Sequence, residues 1–234
     1  MKLSLSFWQR LMQLASLFVI GVALTAGAGY LLQHLSANTL AIGRITIVMQ
    51  DLLAFILPAI ITALLLTRLP ADFLRLRRLP RGRQLLLYLS ATVVLQPIIE
   101  GINKLCEILP WPEAILRMEH AAQNEVLALI GPVTSANIII SLLIIALLTG
   151  LAEEIFFRGA LQGILQSRPM STHLAIWLTA LIFALMHGQM VGLIPRTLLG
   201  AFFGYATVRT DSLWTAIACH ALNNALALTF VILG

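Results

Sequence analysis

Charge is what this sequence has least of. Only 11% of its 234 residues are Asp, Glu, Lys or Arg, while 59% are hydrophobic and the mean hydropathy is +0.94. A soluble globule carries about twice that share of charge, so the composition excludes one and points to a polytopic membrane protein. Cysteine is scarce too. Cys106 and Cys219 stand without any Cys-x-x-Cys or Cys/His spacing, which excludes a disulfide framework and a Cys-rich metal site. Cys219 reads as a small packing residue. Internal repeats, low-complexity runs and flexible linkers are also missing, so residues 1–234 read as a single integral membrane domain.

What the sequence has in abundance is apolar runs, near 11–33, 45–66, 84–103, 138–165, 173–187, 190–208 and 212–233. A bilayer core about 30 Å thick needs about 20 apolar residues per helix. The expected fold is therefore an all-α transmembrane bundle of about seven spanning helices. The first run exceeds the apolar region of a signal peptide and reads as a retained span.

The net charge of +5 comes from cations that are not spread as a nucleic-acid-binding face. Arg68, Arg75, Arg77, Arg78, Arg81 and Arg83 crowd one loop between two apolar runs. That is a positive-inside signal beside anionic membrane lipid. Lys2 and Arg10 precede the first run, so both signals place the N-terminus in the cytoplasm, and Arg168 and Arg209 then fall in later inside loops. The charge pattern also suggests that a site among the helices would open to the cytoplasmic side.

Residues 104–136 would then lie outside. Pro112 starts and Gly131-Pro132 stops an apolar periodicity there, which reads as an interfacial amphipathic helix. Glu113, Glu119, His120 and Glu125 are read as its wet-face charges rather than as metal ligands. Ser171-Thr172 supplies N-cap residues for the fifth helix.

Against this background the run at 138–165 is anomalous, because its middle holds Glu153, Glu154 and Arg158. A charge at the centre of a spanning helix costs roughly 2.5–3.5 kcal/mol, and such residues face a bundle interior or a wet cavity. Glu154 and Arg158 are four apart and can pair on one face. Glu153 is turned about 100° from Glu154. Two later helices supply matching polar groups by the same spacing, Phe183 with His187 and His220 with Asn224. Taken singly, these are a polar clamp between helices and two satisfied core histidines. Taken together, their estimated depths coincide near mid-membrane, so they can meet.

The chemistry of such a set is specific. A carboxylate withdrawn from bulk water and set beside a histidine can take a proton from water at neutral pH. An imidazole N–H and an Asn amide can hold the oxyanion formed when water attacks an amide carbonyl. Arg158 would fix Glu154 as an anion and leave Glu153 as the adjustable base. Other protease designs are missing: there is no HExxH, no Gly-x-Ser-x-Gly and no intramembrane Asp pair, Asp51 being the only spanning Asp. Ser141 has no visible base and reads as a packing residue.

Three motifs in order resemble those of the CPBP intramembrane proteases, the CAAX-protease and bacteriocin-processing family also called Abi. They are EExxxR at Glu153-Glu154-Ile-Phe-Phe-Arg158, FxxxH at Phe183 to His187, and HxxxN at His220 to Asn224. Gly200 and Gly204 sit in a stretch that looks like the family's penultimate helix, as small-xxx-small sites for close helix approach. The resemblance covers about residues 140 to 230, within an expected catalytic core at 138–233. It implies that Glu153 and His187 activate water, that Glu154 and Arg158 order the site with Phe183 in support, and that His220 and Asn224 hold the oxyanion. It implies no required cofactor, with zinc on Glu153, His187 and His220 as the alternative. It implies as substrate a prenylated CAAX-type tail, a leader peptide or a membrane protein, and as location a bacterial plasma membrane. The rival readings are a non-proteolytic scaffold or bacteriocin-immunity protein of the same fold, and a proton-relay transporter, which the lack of a repeat disfavours.

Overall fold

In lipid a backbone must satisfy its own hydrogen bonds, and each apolar run does so as helix. The computed structural model describes residues 5–167 and 170–233, so Lys2 and Arg168, read above as inside-facing charges, lie outside the described residues. Among the described residues there are nine helices: α1 (Phe7–Leu35), α2 (Thr39–Leu66), α3 (Pro70–Phe73), α4 (Gly82–Glu107), α5 (Glu113–Ile130), α6 (Ser135–Gln166), α7 (Thr172–Met186), α8 (Leu193–Thr210) and α9 (Leu213–Leu233). The fold is all-α.

Five of these helices, α1, α2, α4, α6 and α9, are long and apolar enough to cross a membrane, which makes this an integral membrane protein. The expectation of seven spans is corrected on this point. At about 1.5 Å per residue, the 15 residues of α7 reach only about 22 Å. The 18 residues of α8 include Pro195, Arg196 and Arg209, and that helix does not qualify by its composition. The two instead form a hairpin whose turn, residues 187–192, is held by another helix.

That helix is α5. It begins after Pro112 and ends at Gly131, whose φ of 70° is left-handed. Arg44 of α2 holds its C-terminus: Nε donates to the Leu129 carbonyl at 3.0 Å and Nη2 to the Ile130 carbonyl at 2.8 Å. These are the carbonyls that a helix end leaves without partners. Glu119, expected on the wet face, is buried. It points to the turn, where Oε1 accepts from the Val191 N–H at 2.9 Å and Oε2 from Gln189 Nε2 at 3.2 Å. The turn's backbone donor needs an acceptor once water is excluded, and this carboxylate is it.

At the opposite end of the bundle the Arg-rich segment is fastened to the helix ends. The Arg75 carbonyl accepts from Leu213 N–H at 2.9 Å, and Arg75 Nη2 donates to Gln166 Oε1 at 2.9 Å. Arg78 pairs with Asp211, and Trp214 Nε1 donates to the Leu76 carbonyl at 2.8 Å. Leu74 and Phe73 lie against Gly159 and Gly163 of α6. The loop therefore braces the helix that carries Glu153.

Close helix approach rests on absent side chains. A Cβ at Gly204 would lie 2.8 Å from Ile176 Cγ2, within the α7–α8 hairpin. A Cβ at Gly21 of α1 would lie 2.0 Å from the Leu53 carbonyl oxygen of α2, whereas one at Gly27 would meet nothing within 4 Å. Overpacking costs about 1–3 kcal/mol where side chains can yield, and the Leu53 carbonyl is backbone. Gly21→Val is expected to lower the melting temperature of the detergent-solubilised protein clearly, and Gly27→Val to leave it near that of the parent. Equal melting of the two would contradict this α1–α2 contact.

Candidate active site

The site is organised from the inside outwards, beginning with α6. Helix periodicity turns consecutive residues apart, and the adjacent carboxylates meet different surroundings. Glu154 is fully buried and Arg158 is 1% exposed, whereas Glu153 is 9% exposed and lines a cavity. Wide π-type turns at Leu142–Leu148 and Ile155–Leu161 flank the pair, a feature that recurs at functional sites.

The buried half is a hydrogen-bonded cluster. Arg158 Nη1 donates to Glu154 Oε1 at 2.6 Å, and Nη2 donates to the Gly200 carbonyl at 2.9 Å. The guanidinium carbon lies 4.5 Å from the centre of the Phe183 ring and 5.5 Å from that of Phe203, both within cation–π range. His220 Nδ1 is 2.8 Å from the same Glu154 oxygen. With that carboxylate held as an anion by Arg158, the ring nitrogen is the donor. Phe203 stacks on the His220 imidazole at 4.9 Å and 19°. His220 is thus fixed on one edge and one face, and its Nε2 is directed towards Glu153, 3.6 Å from Oε2.

The open half faces a cavity of about 530 Å³, a volume typical of ligand sites. Glu153, His187, His220 and Asn224 all line it, with Phe183 and Phe203 beside them. His187 follows the last turn of α7, and its Nδ1 is 2.8 Å from the Phe183 carbonyl. A carbonyl only accepts, so Nδ1 carries the proton and Nε2 of the neutral ring keeps its lone pair. The FxxxH spacing thereby does two things: the Phe183 backbone sets the tautomer of His187, and its ring contacts the imidazole edge-on at 4.7 Å. Asn224 Oδ1 accepts from Asn223 Nδ2 at 3.3 Å, and Asn223 is itself held by Gln96 Nε2 at 3.0 Å. The Asn224 amide N–H₂ makes only a long contact, 3.4 Å, to the Ile145 carbonyl.

The structure thus brings Glu153, Glu154, Arg158, Phe183, His187, His220 and Asn224 to one place. Sequence reasoning missed several of their neighbours. Asp51 of α2 is buried and accepts from Thr149 Oγ1 at 2.9 Å, one turn before Glu153. Its signal was present, since an ionisable residue within a span marks function by default. Phe203 and the Gly200 carbonyl carry no chemical signature in a sequence. Among the described residues no group of three or more His, Cys, Asp or Glu side chains is arranged to hold a metal ion.

Breaking a buried ion pair by neutralising one member costs roughly 3–5 kcal/mol, because the other charge is left uncompensated. Glu154→Gln is therefore expected to destabilise the protein by about that amount in detergent unfolding. Glu153→Gln, which opens on the cavity, is expected to stay within about 1 kcal/mol of the parent. Equal losses would mean that the two carboxylates are not divided between core and cavity.

No curated protein and no solved structure gives a significant match. Residues 135–226, running from the start of α6 into α9 and carrying all three motifs, match the sequence model described as type II CAAX prenyl endopeptidase Rce1-like. Over that segment the chain is similar to the Rce1-like type II CAAX prenyl endopeptidases.

Proposed function

We propose that this protein is an intramembrane endopeptidase that hydrolyses a peptide bond with a water molecule activated by Glu153 and His187. The observation that carries the reading is the division of the polar set: two acceptors and two donors line one cavity, while Glu154 and Arg158 stand behind it in the core. Residues 138–233 act as the catalytic core of a single membrane domain, in a bacterial plasma membrane with the N-terminus in the cytoplasm.

The reaction follows from these roles. A water in the cavity is held by the Glu153 carboxylate and by the lone pair on His187 Nε2. As its oxygen attacks the carbonyl carbon, Glu153 takes one proton. The carbonyl electron pair moves onto oxygen, where the Asn224 amide N–H meets it. His220 is held at Nδ1 by Glu154 and turns its Nε2 edge to the same oxyanion. Collapse of the intermediate breaks the C–N bond, and the proton on Glu153 passes to the leaving amine. Glu154 and Arg158 touch no reacting atom and position His220. No metal or cofactor takes part. The substrate is a peptide segment that reaches the cavity, in a lipidated tail, a leader peptide or a membrane protein.

Cleavage of a peptide library by the purified protein tests this reading. Glu153→Gln is expected to abolish turnover while leaving the fold intact, and a chelator is expected to change nothing. Loss of one oxyanion donor in Asn224→Ala is expected to lower kcat by roughly 10²–10³ with little change in KM. Turnover that survives Glu153→Gln would rule the mechanism out, and loss with chelator would replace water activation by Glu153 with a metal-dependent one.

A further inference from the structure

The two ends of the bundle differ in charge, and the cavity belongs to one of them. Five helices give its position independently. Glu100 and Asn103 line it from the last two turns of α4, a helix that starts beside the Arg-rich loop. Ile47 lines it from the first third of α2, which ends at that loop, and Ile145 from the part of α6 before Glu153. Arg196 lines it from the first turn of α8, and Val231 from the last turn of α9. The far ends of α6, α8 and α9 are the ones tied to Arg75, Leu76 and Arg78. The cavity therefore lies at the end of the bundle opposite the Arg-rich loop.

The charges divide along the same axis. Around the loop, its six arginines together with Arg10 and Arg209 face only Asp72 and Asp211. At the cavity end Arg44, Lys104, Arg117 and Arg196 are matched by Glu100, Glu107, Glu113, Glu119 and Glu125. An excess of Arg and Lys in short loops marks the cytoplasmic side, and acidic residues contribute little to that choice. The loop end is thus cytoplasmic, as the sequence indicated, and the cavity end is not.

We propose that the cavity opens on the extracytoplasmic side of the membrane, the reverse of the direction suggested by charge pattern alone. Given the peptidase reading, on which this step rests, the site takes exported peptides or the outer segments of membrane proteins. The Arg-braced end, where Leu74 and Phe73 pack against α6, lies between the cytoplasm and the cavity. The turn 187–192 and α5, joined by Glu119, then form the outer rim beside the cavity.

Cysteine labelling tests the direction without requiring a substrate. In a background carrying Cys106→Ala and Cys219→Ala, single cysteines are placed at Asn103 in the cavity, at Glu107 on the same end, and at Leu79 in the Arg-rich loop. A membrane-impermeant maleimide added to intact cells is expected to label Asn103→Cys and Glu107→Cys, and to label Leu79→Cys only after permeabilisation. The opposite pattern, or labelling of Asn103→Cys only after permeabilisation, overturns the proposal. Labelling is read on protein that elutes as a folded species, and Glu153→Gln in the same background is expected to label identically. A failure of the peptidase reading, seen as turnover by Glu153→Gln, would leave the labelling pattern unchanged, so the two failures are told apart.

Discussion

The contact on which the site depends is the buried pair of Glu154 and Arg158. Two charges withdrawn from water carry a desolvation penalty that their mutual attraction offsets only when further hydrogen bonds satisfy them. Those bonds come from elsewhere in the chain. The Gly200 carbonyl takes one guanidinium N–H, and His220 shares the carboxylate oxygen. Phe183 and Phe203 cover the cation. Each partner lies on a different helix from the pair, so satisfying Arg158 draws α7, α8 and α9 against α6. Gly200 is small for the same reason: a Cβ there would lie 3.1 Å from Arg158 Nη2.

A second constraint acts at the cavity end. In the turn after α7 Val191 is buried, and its backbone N–H needs a partner. Glu119 supplies an acceptor from α5, and Arg44 fixes α5 in turn through its last carbonyls. His187 sits at the start of that turn, so a helix remote in sequence sets the position of a residue in the cavity. The arrangement also explains why counting apolar runs overestimates the spans: all seven runs are helical, but two of them form the α7–α8 hairpin, whose helices are not long and apolar enough to cross.

What was legible in the sequence was local. Pairs spaced by four residues share a helix face whatever the tertiary structure, so Glu154 with Arg158 and Phe183 with His187 could be read directly. The starts and stops of helices at Ser171, Pro112 and Gly131 were legible for a similar reason, since a cap is a property of a few consecutive residues. What depended on distant partners was not. Glu119 looks like any wet-face glutamate until the turn that it binds is known to lie against it. Arg75 and Arg78 look like a topology signal alone until Asp211 and Gln166 are seen beside them. Asp51 is an intermediate case, marked as unusual by its place in a span but without a partner until Thr149 is brought to it.

Adjacent glutamates are an economical way to obtain two kinds of carboxylate from one helix position. The 100° step between consecutive residues sends one side chain into the core and the other to the cavity, and the two then differ in what they can do. Glu154 is committed to Arg158 and His220 and serves as a fixed anion. Glu153 makes no contact closer than 3.6 Å to a cationic group and is open to the cavity. In the proposed reaction the polarity of the cavity follows from this division. The acceptors for water, Glu153 and His187, come from α6 and the end of α7, and the donors for the oxyanion, His220 and Asn224, come from α9. A peptide carbonyl between the two walls would meet water on one side and hydrogen-bond donors on the other, which is the asymmetry that addition to a carbonyl requires.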